Sequence, residues 1–586
     1  MVFFFEDGRG ARPLTRFLKS EDAPGWADLA AFLIIGAIAV LVVHGAGQAT
    51  APLSALKTTP VTLDLANLPG YALRTTIRMF AAILCSLLFT FTVATLAAKS
   101  KRAALVIVPA LDILQSIPVF GFLTFTVTIF LNLFPGSQLG AEGAAIFAVF
   151  TAQAWNMTFS FYQSLRTIPT DLEEVSNHFG LSAWGKFRRL ELPFAMPGLV
   201  WNTMMSMSGG WFFVVISEAI TVGDKTITLP GIGSWLALAI SQANVGAVAE
   251  AVGAMALVIL AYDQIVFRPI VAWSDKFRFE NTASGARPSS WLYDLFRRTR
   301  FLAAATHALG GPFRALANIR LPALPAAARP PVRIDAGTNK AIDRVWLAVV
   351  ITACAWAVWQ LAHFIGLNLS WGDIGKAVGL GFVTLLRVAV LIAVASLIWV
   401  PIGVWIGLRP AWAERLQPVA QFLAAFPANV LFPVAVIAIV RFDLNPDVWL
   451  SPLIIFGTQW YILFNVIAGA SAIPGDMKEV AGIFHVRGWQ WWRQIALPAI
   501  FPYYVTGALT ASGGSWNASI VAEVVSWGKH HIQAHGLGAY IANATTAGDY
   551  PRVALGIAVL SIFVIGFNRA LWRPMYSFAE RRLRIA

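Results

Sequence analysis

The sequence predicts an all-α integral membrane protein made of two tandem six-helix repeats, and three observations carry that expectation. Of its 586 residues, 58% are hydrophobic and only 12% charged, against about a quarter charged in soluble domains, and the mean hydropathy is +0.67. Twelve apolar stretches approach the roughly 20 residues that a membrane-crossing helix needs. A charged stretch, Asp171 to Pro197 (DLEEVSNHFGLSAWGKFRRLELPFAMP), recurs without gaps 305 residues later as Asp476 to Pro502 (DMKEVAGIFHVRGWQWWRQIALPAIFP). That register pairs Glu174 with Glu479, Trp184 with Trp489, Arg188 with Arg493 and Pro193 with Pro498. Self-similarity at a fixed period outranks any local signal, and the composition excludes a soluble domain.

Taken in order, residues 1–25 combine a short apolar run with mixed charge, which fits a cytosolic leader and no cleavable signal. The first repeat, 26–267, holds expected spans near 26–43, 75–98, 104–132, 143–165, 197–221 and 246–267 around the charged loop 166–196. A basic linker, 268–342, follows with the run LPALPAAARPP. Its stretch WLYDLFRRTRFLAAATHALGGPFRAL reads either as an amphipathic helix on the anionic inner leaflet or as a tether held in the cytosol by its charges. The second repeat, 343–571, holds spans near 343–365, 379–407, 417–440, 449–470, 502–526 and 552–571 around the loop 471–501, and a tail, 572–586, closes the chain. Upstream of the loops the repeat persists at an offset of 309, pairing Arg78 with Arg387, Pro109 with Pro418 and Pro118 with Pro427. Lys and Arg in the leader, Lys99 to Arg102, Lys186 to Arg189 and Arg581 to Arg584 alternate with cation-poor loops, so both termini and both charged loops are expected in the cytoplasm. The net charge of +13 thus concerns topology and lipid contact, not nucleic acid. Cys85 and Cys354 lie in apolar runs and imply neither a disulfide nor a metal site.

The repeated loop resembles the EAA motif of ATP-binding-cassette (ABC) importer permeases: a Glu-Ala-Ala run, a glycine, nine residues, then Ile-x-Leu-Pro. Glu174, Val175, Ser176, Gly180, Leu190, Leu192 and Pro193 fall on that spacing, as do Glu479, Val480, Ala481, Ile495, Leu497 and Pro498. His485 stands where the motif has glycine, with Gly488 three residues later, a departure that bears on the turn of the second loop. The stretches LLRVAVLIAVASLIWVPIGVWIGLRP and QPVAQFLAAFPANVLFP, with the closing WRPMYSFAERRLR, are similar to the nitrate, sulfonate, taurine and bicarbonate branch of that family. The resemblance implies a type I permease of the bacterial inner membrane, its two repeats related by a pseudo-twofold axis along the membrane normal. Each loop would then dock in an ATPase subunit and an extracytoplasmic binding protein would deliver the solute. No GxxxxGK[ST] stretch occurs, so ATP and Mg belong to two partner subunits and this chain binds no cofactor and performs no covalent chemistry.

Within each loop, Thr170 or Asp171 can cap a short helix and Glu174 suits its first turn. Gly180 can supply the positive φ of a C-terminal cap, and a second helix from Trp184 is expected to stop at Pro193. Loop residues Glu174, Gly180, Leu190, Pro193, Glu479, His485, Ile495 and Pro498 are therefore the ATPase-coupling candidates, an amphipathic loop on lipid headgroups being the plainer reading. Further on, SMSGGWFFVVISE and ASGGSWNASIVAE match Trp211 with Trp516 and Glu218 with Glu523. Ionisable groups in spans are costly. Each Glu lies 21 residues after the Pro opening its expected span, about 31 Å of helix, which suits either a pathway group or a capping carboxylate near the outer mouth. Trp155 and Trp460 can line a seam between the repeats, pack between them, or belong to an aromatic belt. Arg78 and Arg387 can attract an anion or snorkel to headgroups. His530, His531 and His535 include an i, i+4 pair, which admits helical metal ligation, binding-protein docking or plain solvation.

The resulting expectation is a fused permease for a small anion such as nitrate, sulfonate or taurine. Paired carboxylates in a narrow path would repel an anion, so a fused permease for iron or another cation, with Glu218 and Glu523 as ligands, stays open. A secondary transporter with internal repeats is the rival from another class, and a membrane scaffold the third.

Overall fold

A computed structural model describes residues 29–31, 33–36, 60–116, 119–222, 225–277, 290–299 and 336–582. The leader, most of the first expected span and the Pro-Ala run of the linker lie outside the described residues.

The first repeat runs α1 (Leu68–Lys99), α2 (Lys101–Ser116), α3 (Val119–Leu133) and α4 (Gln138–Arg166), then the charged loop as α5 (Thr170–His178) and α6 (Ala183–Lys186). A π-turn, Phe187–Glu191, leads without a break into α7 (Leu192–Ser217). A hairpin of β1 (Ala219–Val222) and β2 (Lys225–Thr228) follows, then α8 (Ile232–Ser241), α9 (Val245–Tyr262), a second π-turn (Asp263–Phe267) and α10 (Arg268–Ser274). In the linker α11 (Trp291–Arg298) is helical, capped by the Ser290 side chain, with Leu292 and Leu295 buried; the remainder of the expected amphipathic stretch is not among the described residues.

The second repeat opens with α12 (Ala336–Asn368), α13 (Trp371–Gly407), α14 (Pro410–Ala425), α15 (Phe432–Arg441), α16 (Pro446–Trp449), α17 (Ser451–Phe456) and α18 (Gln459–Ser471). Its loop is α19 (Gly475–Ile483) and α20 (Gly488–Trp491), followed by a π-turn (Trp492–Ala496) and α21 (Leu497–Ala522). Then come β3 (Val524–Trp527), β4 (His530–Gln533), α22 (Leu537–Thr546), α23 (Tyr550–Phe567), a π-turn (Asn568–Trp572) and α24 (Arg573–Arg582). Every element from α5 to the π-turn after α9 recurs 305 residues later with the same bounds. The repeat read in the side chains is therefore also a repeat of backbone, down to the two π-turns.

Among the described residues seven helices are long and apolar enough to cross a membrane, or up to nine if each bent pair is one span. The twelve expected spans are thus met only in part. Within the stretch 104–132 the described residues form α2 and α3, and residues 117 and 118 lie outside them. The stretch 417–440 bends by 83° between Ala425 and Ala428, and 449–470 bends by 45° near Gly457. Helix α4 is long enough but carries Gln153, Asn156, Thr158 and Ser160, and falls short in apolarity.

Three local expectations are corrected. The ends of 197–221 and 502–526 are not helix: AITV and VVSW are rich in β-branched residues and form antiparallel hairpins. The second of these turns at Gly528, whose φ is +57°. Neither Thr170 nor Asp171 is the cap of α5, because Pro169 holds that position without a side-chain bond. Pro193 does not stop a helix, since α6, the π-turn and α7 form one 35-residue rod. The wider π-turn lets the chain pass a residue that has no N–H to donate.

The turn between the loop helices keeps its geometry in both copies. Gly180 has φ +58° and His485 has φ +49°, and the turns close alike, with Leu181 N donating to Ser176 O at 3.2 Å and Val486 N to Ala481 O at 2.9 Å. This is the helix stop usually given to glycine, here adopted by histidine at a conformational cost. Each repeat has its own apolar core, and the two interlock. Val430 lies in the first core; Val119 N donates to Asn517 Oδ1 at 2.8 Å; Ser208 Oγ donates to Ala424 O; and Trp201 stacks on Phe464 with ring centres 5.3 Å apart.

A Cβ at Gly180 would meet nothing within 4 Å, so Gly180→Ala tests backbone strain alone. It is expected to destabilise by about 1–2 kcal/mol, whereas His485→Gly should raise the thermal unfolding midpoint; both are read by melting of the purified protein.

Candidate functional site

The candidate residues fall into two sets at opposite ends of α7 and α21, a loop end and a hairpin end. At the hairpin end, Thr75 and Arg78 are spaced i, i+3 on α1 and so share one face. Arg78 is 2% exposed. It holds Glu142, in the first turns of α4, through two bonds of 2.6 and 2.7 Å, and Glu218, the C-terminal cap of α7, at 2.6 Å. Glu218 is fully buried, and its oxygens also accept from Thr75 Oγ1 at 2.7 Å and Gly233 N at 2.7 Å. The carboxylate thus sits on the N-terminus of α8, where backbone N–H groups and the helix dipole favour an anion. Glycine is needed at position 231, since a side chain there would run into that carboxylate. Thr75 Oγ1 in turn accepts from Ile232 N at 3.0 Å, and the Glu218 carbonyl accepts from Leu229 N at 2.8 Å and Ser234 Oγ at 2.7 Å.

The second repeat builds the same cluster. Arg387 Nη1 reaches Glu523 Oε1 at 2.7 Å, Thr384 Oγ1 donates to the same oxygen at 3.1 Å, Leu537 N donates to Thr384 Oγ1 at 2.9 Å, and Ala539 N donates to Glu523 Oε2 at 3.0 Å. Asp447 takes the place of Glu142 but stands 3.6 Å from Arg387 Nη2. His535 fills the gap: its N and Nδ1 lie 2.6 and 2.9 Å from the Asp447 oxygens, and its carbonyl accepts from Arg387 Nη2 at 3.1 Å. The first cluster is sealed, and the second opens to solvent through Asp447 and His535.

Arg78 and Glu218, read separately from the sequence, are therefore one buried ion pair, and Arg387 with Glu523 is another. Neither arginine snorkels, because carboxylates hold both inside. The α7 helix is continuous through Gly209 and Gly210, so Glu218 stays at its end. Glu142, Asp447, Thr75 and Thr384 were missed. The signal was present, as the 305 register matches Glu142 with Asp447 and the 309 register Thr75 with Thr384.

The four candidate tryptophans make ring contacts inside their own repeats. Trp211 and Trp516 are buried, against Tyr262 at 5.7 Å and Phe567 at 6.4 Å. Trp155 packs on Phe89 and Phe150, and Trp460 on Trp399 at 5.0 Å. His530 and His531 are neighbours on β4, with His531 Nδ1 2.9 Å from Ser526 Oγ; the helical i, i+4 placement of His531 and His535 is absent.

At the loop end Glu174 and Glu479 are exposed. Their neighbour Glu173 pairs instead, with Lys186 Nζ at 3.1 Å. Around them Val175, Phe179 (74% exposed) and Trp184 (54%) stand out from the first loop, and Val480, Phe484 and Trp489 (each of the last two 73%) from the second. Leu190 and Ile495 are half-buried in the π-turns, with Pro193 and Pro498 in the first turns of α7 and α21.

Removing Arg78 would leave two buried carboxylates without a counter-charge, a loss of about 3–5 kcal/mol. Arg78→Ala is accordingly expected to abolish stable insertion or to lower the melting midpoint well below that of Arg387→Ala, where Asp447 is already partly hydrated.

Residues 87–268 and 399–573 each match the family described as binding-protein-dependent transport system inner membrane component. Among individual relatives, the nitrate import permease protein of Leptolyngbya laminosa is 28% identical over 201 residues, 34% of this chain and 66% of that protein. The bicarbonate transport system permease protein of Synechococcus elongatus is 34% identical over 146 residues, 25% of this chain and 51% of that protein. The glycine betaine/proline betaine transport system permease protein of Escherichia coli is 27% identical over 229 residues, 39% of this chain and 59% of that protein. The chain thus spans 51% to 66% of the length of these relatives. The family match falls once in each repeat and covers more than half of the sequence: the chain belongs to the binding-protein-dependent transport system inner membrane components, a family of multi-pass inner membrane permeases.

Proposed function

We propose that this chain is a fused two-repeat permease of an ABC importer, moving a small anion and driven by two separate ATPase subunits. The observation that carries the reading is the exposed trio at the loop end, Val175, Phe179 and Trp184, repeated as Val480, Phe484 and Trp489. Large apolar groups raised on a two-helix knob beside an exposed glutamate form the aromatic centre and polar rim that a protein partner buries. Two such knobs in one chain suit two ATPase subunits, with the repeats related by a pseudo-twofold axis along the membrane normal. The domain limits 26–267 and 343–571, the cytosolic leader, linker and tail, and cytosolic placement of both loops belong to the same proposal, supported by the distribution of Lys and Arg. The hairpin end then faces outward, toward a substrate-binding protein.

An anion is favoured by the state of the two glutamates. The sequence left a difficulty, carboxylates facing an anionic solute. Both Glu218 oxygens are already bonded to Arg78, Thr75 and Gly233, and both Glu523 oxygens to Arg387, Thr384 and Ala539. Such carboxylates neither repel an anion strongly nor offer open ligands to iron, so the charge clusters act as the frame of a path rather than its binding groups. The relatives named for nitrate and bicarbonate suit the same choice.

Affinity purification is expected to recover two ATPase copies per chain. Trp184→Ala with Trp489→Ala should weaken that association by about 2 kcal/mol or more, and Glu174→Ala with Glu479→Ala should separate ATP hydrolysis from uptake while insertion persists. In cells carrying the complete transporter, competition among labelled nitrate, bicarbonate and glycine betaine identifies the solute; uptake of betaine alone would refute the anion assignment. Uptake without any ATPase would refute the importer reading.

A further inference from the structure

Glu191 and Lys99 have no place in the site described so far. Glu191 is the last residue of the π-turn that joins the first loop to α7, and it is buried. Its Oε2 has no hydrogen-bond donor in good geometry, and its charge partner is Lys99 Nζ at 3.1 Å. Lys99 is the last residue of α1, where a cation also suits the helix dipole. The pair closes over a loop-end core formed by Ala94, Met157, Phe161, Leu165, Ile168, Ala195 and Leu199.

The other end of the same two helices is fastened by Arg78 of α1 and Glu218 at the end of α7. In the first repeat, therefore, α1 and α7 are stapled by an ion pair at both ends. In the second repeat the hairpin-end staple, Arg387 with Glu523, is the one found among the described residues. The residues in register with Lys99 and Glu191 are Leu408, partly buried on the second core, and the fully buried Ala496. The first loop is also the better braced one: Ser182 caps α6 by accepting from Gly185 N at 3.1 Å and Glu173 pairs with Lys186, whereas Arg487 stands at the corresponding cap position of α20 without a side-chain bond.

We propose that Lys99 and Glu191 are positioning residues that bind α1 to the first loop, so that displacement of that loop reaches the Arg78 cluster as motion of one rigid pair of helices. In the second repeat the same displacement passes through apolar packing and is partly absorbed. The two ATPase contacts are then mechanically unequal, the first being the principal driver of opening at the hairpin end. This rests on the importer reading above. A buried carboxylate that loses a counter-charge is worse off than one replaced by an amide, so Lys99→Ala must disturb coupling more than Glu191→Gln.

The test uses the full chain with its co-purified ATPase, Cys85 and Cys354 replaced by Ser, and spin labels on cysteines at positions 225 and 529 of the two hairpins. The change in inter-label distance is measured between the nucleotide-free complex and the complex trapped with ATP and vanadate. The expected result is loss of most of that change in Lys99→Ala, a smaller loss in Glu191→Gln, recovery in the reversed pair Lys99→Glu with Glu191→Lys, and little loss in Leu408→Ala. An undiminished change in Lys99→Ala, or a reversed pair that assembles and melts normally without recovering it, overturns the proposal. If the unaltered chain recovers no ATPase, the importer reading fails first and this inference with it; an ATP-responsive complex indifferent to Lys99 sinks the inference alone.

Discussion

The structure depends on a guanidinium that has no water to turn to. In a medium of low polarity an isolated charge is far too costly, and Arg78 is tolerated because Glu142 and Glu218 accept three short bonds from it, Glu218 being held in turn by backbone and hydroxyl donors. Satisfying that requirement draws four segments together: α1 supplies the arginine, α4 and the end of α7 the carboxylates, and the start of α8 the backbone donors. Such a cluster adds little net stability over apolar packing, but it tolerates few other arrangements. The second repeat meets the same requirement with looser means, using an aspartate one carbon shorter and recruiting a histidine from the segment after β4.

Much of the architecture was legible in the sequence. The repeat register, read from Glu174, Trp184 and Pro193, predicted equivalent backbone in both loops, and the structure carries that equivalence over nine successive elements. Arg78, Arg387, Glu218 and Glu523 were recognised as costly in a span, but recognising cost does not say which charges meet. That depends on the path of α4, which no local pattern records. Periodicity also failed where two rules compete. Apolar β-branched residues after Ser217 look like more helix although β1 and β2 pair there, and Pro193 looks like a stop unless a wider turn precedes it. A long apolar run such as 417–440 satisfies a length rule that is blind to the bend between Ala425 and Ala428.

Side chains have diverged far more than backbone. Positive φ is kept at Gly180 and His485, and again at Ala243 and Gly548, although in each pair only one residue is glycine. A conformation that survives an unfavourable residue is set by the packing around it rather than by local preference. Joining both copies in one polypeptide fixes their ratio and lets each accumulate its own substitutions, which is how Ser182 and Arg487, or Glu191 and Ala496, come to occupy matching places with different roles.

The π-turns between loop and α7, and between α20 and α21, add one residue to a helical turn. An extra residue rotates everything beyond it by about 100° around the axis. The face that a knob offers to its partner and the face that the long helix buries in the bilayer are therefore set independently, as two gears on one shaft with a fixed angular offset. Losing a residue from that turn would preserve both helices and both sets of side chains, yet leave them mistimed. The offset itself, more than any single contact, is what the two copies share.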